Sequence, residues 1–135
     1  GTDNIDFLVA GSNEKIEIHT GGGAGTNGLR WIPYSWDGAE TYAGIDAQNI
    51  ITDGINHVTF TCTQSLSVAY KNGEHFKNSS TTTTLTIGSQ PVTLGKRTSQ
   101  FYYLSGSIYL VRIYNRALTA DEVRQNYNAT KRRFK

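Results

Sequence analysis

Hydrophobic and polar residues alternate with period two along much of this chain. Between Ile55 and Thr63, Val58, Phe60 and Cys62 alternate with His57, Thr59 and Thr61. That spacing predicts a strand with one face in a core and the other in water. Leu66 to Tyr70 keeps the same rhythm after a Gln64-Ser65 turn. Asn72-Gly73 follows, the dipeptide best suited to the positive φ angles of a type I′ hairpin, and a strand returns through Glu74 to Phe76. Near the start, Ile5 to Ala10 and Lys15 to Thr20 form a second expected hairpin across Gly11-Ser12-Asn13. His19 falls on the polar side of its strand and is expected at the surface. The Ser/Thr run from Asn78 to Thr84 reads as an exposed edge or loop, and Leu85 to Ile87 and Val92 to Leu94 as short strands. About eight or nine short strands separated by turn residues predict an antiparallel β-sandwich of jelly-roll type.

The end of the chain breaks this rhythm. Ser107 to Tyr114 has Ile108 and Leu110 on one face and Tyr109, Val111 and Ile113 on the other. A strand apolar on both faces is expected where something covers the sheet or a bulge switches the faces. Thr119-Ala120-Asp121-Glu122 then has the spacing of a capping box, opening a short helix that runs to about Tyr127. Val123 and Tyr127, four apart, share one side of it.

At 135 residues the chain is expected to be one domain, residues 1–135. The 37% hydrophobic fraction is low, and abundant Thr, Ser, Gly and Asn take its place, which favours strands and tight turns over helices. One cysteine, Cys62, excludes an internal disulfide and a thiolate zinc cage; its position in the alternation marks it as a buried, inert thiol. No run approaches the ~20 apolar residues that span a bilayer. The chain starts at Gly1 without an initiator Met, as expected of a processed start or a piece of something longer.

The net charge of +2 is unevenly placed. Lys131, Arg132, Arg133 and Lys135 supply the excess; without them acidic residues outnumber basic ones. Residues 128–135 are therefore expected to form a basic C-terminal arm available to an acidic partner surface, too small a footprint for nucleic-acid binding.

The closing stretch resembles the laminin-G-like branch of the concanavalin A-like jelly rolls. Gly106, Ile108, Val111 through Leu118, Thr119, Asp121, Glu122 and Val123 fit that family's final strand and cap, and His57-Val58 with Tyr70-Lys71-Asn72-Gly73 fits its central hairpin. The run from Asn126 to Lys131 is similar to laminin-G-like domains of phage and viral structural proteins. Three departures stand out. Ile55 replaces a Trp before the His-Val strand, Tyr109 and Leu110 replace acidic residues after Gly-x-Ile, and the family's first strands have no counterpart. The resemblance therefore implies an unpaired sheet edge to be filled by another chain or segment.

The same superfamily contains glycoside hydrolases, whose retaining members need two carboxyl groups about 5–5.5 Å apart. Their Glu-x-Asp-x-x-Glu strand has no match here. Glu14 and Glu17 would point to opposite strand faces, while Asp121 and Glu122 belong to the helix cap. The glycines from 21 to 25 lack the Gly-Lys-Ser/Thr of a phosphate loop. Trp31, Tyr34, Trp36, Asp37 and Tyr42 form the candidate ligand site, since rings stack on sugar faces and polar groups take the hydroxyls. Asp37, Asp46 and Asp53 are candidate oxygen donors for calcium, with no spacing that specifies a loop; no other cofactor is expected. Together these point to a non-catalytic structural, decoration or adhesion module on a virion or outside a cell. Such a module would assemble with other protein chains as a homo-oligomer or larger array. The alternative is a lectin-like glycan-binding module. The candidate partner-binding residues are Lys131, Arg132, Arg133 and Lys135.

Overall fold

The period-two segments form strands, and short turn sequences set which strands pair. The computed structural model describes residues 7–11, 17–21, 25–32, 44–80, 92–96 and 102–134. Its strands are β1 (Phe7–Gly11), β2 (Glu17–His19), β3 (Leu29–Ile32), β4 (Ile45–Ala47), β5 (Val58–Cys62), β6 (Leu66–Lys71), β7 (Glu74–Ser80) and β8 (Val92–Leu94). Among the described residues one helix, α1 (Ala120–Thr130), follows. The strands make an antiparallel five-stranded sheet in the order β4-β3-β2-β1-β8 and an antiparallel three-stranded sheet in the order β5-β6-β7. The architecture is the expected mostly-β sandwich with one short C-terminal helix.

Apolar side chains from both sheets meet between them. Leu29, Ile45, Ala47, Ile50 and Ala69 are buried together, with Val58 and Phe60 of β5 packed against them. The Trp31 and Phe60 rings lie 5.1 Å apart, tilted at 48°, so a β3 side chain reaches a β5 side chain across the sandwich. Burying a Leu or Ile side chain contributes about 1.5–3 kcal/mol, so this small cluster supplies much of the cohesion between the sheets. At the β4 edge the Lys77 ammonium of β7 donates to the Asp46 carbonyl at 2.8 Å, tying the two sheets together.

The Asn72-Gly73 turn forms as expected, with φ of 50° and 81°. The other tight turn is held by Thr63, whose N–H donates to the Leu66 carbonyl and whose hydroxyl accepts from the Leu66 N–H. The capping box is complete: the Thr119 hydroxyl accepts from the Glu122 N–H, and the Glu122 carboxylate accepts from the Thr119 N–H. Val123 of α1 is fully buried beside Leu118 and Tyr70, which fixes the helix on the three-stranded sheet.

Four expectations are corrected. His19 and Glu17 are buried, although alternation assigns them an outward face: exposure depends on what covers a face as well as on strand period. On β5, Thr61 is buried, while Cys62 is half-buried and its thiol donates to the Thr63 carbonyl. Among the described residues, Ser107 to Tyr114 joins neither sheet. The chain makes a bridge at Lys96 and Tyr103, Leu104 donates to the Gly95 carbonyl, and the chain then leaves β8. A period-two pattern makes a strand possible, but hydrogen bonds to a neighbour make it one. Finally, α1 extends past Tyr127 to Thr130, so the expected arm at 128–135 begins within the last helical turn. The strand expected at 85–87 lies outside the described residues.

Candidate functional site

Of the aromatic candidates, Trp31 alone lies in the described residues; Tyr34, Trp36, Asp37 and Tyr42 lie outside them. The β3 register points Trp31 inward, and at 8% exposure against Phe60 its ring face is occupied by the core. The opposite face of the same strands carries a polar row in which His19 pairs with Arg30 and Arg30 with Asp46. Arg30 donates to both Asp46 carboxylate oxygens, at 2.6 and 3.0 Å, and His19 Nδ1 donates to the Thr20 carbonyl. The guanidinium's hydrogen bonds hold the Asp46 carboxyl below the usual carboxylate range against an opposing effect of burial. Unlike charges on adjacent strands, Arg30 in one and Asp46 in the other, were the sequence signal for this row.

Three carboxylates of the described residues are engaged structurally. Asp46 is bound by Arg30, Glu122 by both Arg116 nitrogens at 2.7 and 2.8 Å, and Glu74 lies 3.4 Å from Arg124. Hydrogen bonds from Arg116 and the Thr119 N–H pull Glu122 down to about 2, and Glu122 in turn pushes Arg116 above its ordinary value. Among the described residues, no group of three His, Cys, Asp or Glu is placed to hold a metal ion. Of the calcium candidates, Asp46 is committed to Arg30, Asp53 is exposed, and Asp37 lies outside the described residues. No described helix is long and apolar enough to cross a membrane.

A junction that sequence spacing did not reveal sits where α1 crosses the β6–β7 turn. The His57 N–H donates to the Asn72 side-chain oxygen and the Asn72 N–H to the His57 carbonyl, which closes the start of β5 onto the turn. The His57 ring lies 5.5 Å from the Tyr127 ring, and Tyr127 covers Gly73. His57 Nδ1 is buried with no hydrogen-bond partner among the described residues. Burial first, and the Arg112 charge second, push this imidazole below its usual value.

The largest departure from ordinary surface chemistry is residues 102–114. Tyr102, Tyr103, Tyr109, Leu110, Ile113 and Tyr114 are all exposed, Tyr109 at 61% and Ile113 at 66%. The basic candidates flank this region. Lys131 caps α1 with its ammonium 5.5 Å over the Tyr127 ring, and Arg132 and Arg133 are exposed. Phe134 packs on Tyr109 with ring centroids 5.6 Å apart, and Lys135 lies outside the described residues. The chain's terminal turn is thus anchored beside the apolar strip, with its charges outward.

Two packed antiparallel sheets closed by a C-terminal helix define a lectin-like β-sandwich. The family model described as the concanavalin A-like lectin/glucanases superfamily, laminin-G type, matches residues 1–124, and the chain belongs to this family. Among solved structures, it is similar to an S-layer domain-containing protein (residues 221–444) from Clostridium thermocellum ATCC 27405. The two are 24% identical with a TM-score of 0.46, the match covering 86% of this chain and 58% of that one. No curated protein matches the chain.

Proposed function

We propose that this chain is a non-catalytic module displayed on a surface outside the cell, a structural or adhesion component of a phage-type virion or exported array, that assembles with partner chains. The exposed apolar strip from Tyr102 to Tyr114 carries the reading, because single-chain soluble proteins rarely leave so many large apolar groups together in water. The engagement of Asp46, Glu74 and Glu122 with arginines adds support, since each holds a structural partner in place of a facing catalytic acid. Lys131, Arg132, Arg133 and Lys135 would steer an acidic partner surface toward the strip.

Light scattering over a concentration series tests the reading. The expected result is a defined oligomer that dissociates to the folded chain on dilution. A well-behaved monomer at all concentrations would overturn assembly and turn attention to glycan binding at Tyr34, Trp36, Asp37 and Tyr42. Release of reducing sugar from a polysaccharide panel would overturn the non-catalytic part.

A further inference from the structure

The strip has a self-complementary sequence, and it names its own partner. Resting on the assembly reading above, we infer that Ser107–Tyr114 pairs antiparallel with the same segment of a second copy of this chain, on a two-fold axis at Val111. The observation is a strand-like segment without a strand's neighbours among the described residues. It lies in neither sheet, no backbone hydrogen bond holds it among the described residues, and side chains of both faces are exposed. A backbone of this kind offers a row of N–H and C=O groups to another extended chain.

A two-fold axis perpendicular to a new two-stranded ribbon keeps each side chain on its own face, so residues of like parity must oppose one another. Centred on Val111, Tyr109 faces Ile113 of the second copy and Ile108 faces Tyr114, each pairing occurring twice. These are the aromatic and β-branched cross-strand pairs that stabilise antiparallel sheets. Arg112, the one charged residue in the segment, then faces Leu110. Centred on Arg112, two guanidinium groups would oppose each other, which is unfavourable. Centred on Leu110, Ile108 would face Arg112 and Tyr114 would face Gly106, losing all four aromatic–Ile pairings. The sequence therefore favours one register. Ile113 is 66% exposed in the single chain, and Tyr109 is 61% exposed even with Phe134 against its ring, so both partners of the leading pair can be reached.

The experiment is cysteine cross-linking in a Cys62→Ser background, combined with light scattering. Directly opposed residues in an antiparallel pair lie within disulfide reach, about 4.5–5.5 Å between Cα atoms. Val111→Cys is expected to convert most of the chain to a disulfide-linked dimer under mild oxidation. Leu110→Cys and Arg112→Cys alone should give little, whereas mixing those two variants should restore cross-linking. Ile113→Lys should weaken self-association about tenfold or more without lowering the unfolding temperature of the dissociated chain. An oligomer that forms while Val111→Cys fails to cross-link would overturn this pairing and leave the assembly reading standing. A monomer would overturn both.

Discussion

Leu110 and Leu118 are the same residue a short way apart in one chain, yet they belong to two different kinds of structure. Leu118 is 8% exposed, wedged with Val123 beneath α1 against Tyr70. Leu110 is 41% exposed in a segment that joins neither sheet of the described residues. Composition does not separate the two regions, since both are rich in Leu, Ile, Val and Tyr. The difference lies in partners: the helix brings a capping box, a docking face and a hairpin turn to pack on, whereas the strip brings strand propensity without a paired neighbour among the described residues. The difference shows that apolar sequence specifies burial only when the fold also supplies the opposing surface.

Truncating each leucine is the strongest test of that contrast. Leu118→Ala should cost about 2–5 kcal/mol, because it opens a cavity beneath the helix. Leu110→Ala should change the stability of the dissociated chain by no more than about 0.5 kcal/mol. Thermal unfolding at a concentration where the chain is dissociated measures both. Similar losses for the two variants would mean that Leu110 is buried within the single chain, and the comparison would fail.

What the sequence disclosed follows the same division. Asn72-Gly73 and Thr119-x-x-Glu122 were legible because their chemistry is local: backbone sign in one, two reciprocal hydrogen bonds in the other. The alternation of Val58 and Phe60 against Thr59 was legible because strand period alone sets it. The burial of His19 was not, because period gives a side chain's direction and says nothing of a further layer on that side. Ser107 to Tyr114 has the sequence of a strand without being one among the described residues for a related reason, since pairing is a property of two segments. The candidate site was less legible than the fold. Trp31 shows the difficulty: an aromatic residue in a strand serves a core and a sugar platform equally well until its register is known.

The docked region can be probed more gently through its glycines. Gly73 and Gly54 both have positive φ, 81° and 85°. A Cβ on Gly54 would meet open space, but one on Gly73 would lie 3.0 Å from the Tyr127 ring. Gly54→Ala should cost about 1 kcal/mol from the backbone alone. Gly73→Ala should cost about 2 kcal/mol or more, because Tyr127 must also move. A far-ultraviolet circular dichroism melt should show α1 loosening in Gly73→Ala only. Equal losses would mean that the helix does not depend on the turn beneath it.

The smallest effect links the two regions, because Arg112 of the strip acts on His57 of the docked region. Burial and this charge both disfavour the imidazolium, so the folded chain takes up the proton at lower pH than the unfolded chain, whose histidine titrates near 6.5. Stability is therefore complete above about pH 6.5 and declines as pH falls through the folded value. Glu122 adds a separate decline lower down, from its ordinary 4.5 toward about 2, as protonation removes its bonds to Arg116 and Thr119. His57→Gln should remove the upper decline and leave the lower one. Arg112→Gln should raise the His57 titration midpoint, followed by proton NMR of the imidazole, because it removes one of the two causes and leaves burial in place. No movement of that midpoint would mean that the strip and the docked helix are electrostatically independent, with burial alone setting the histidine's charge.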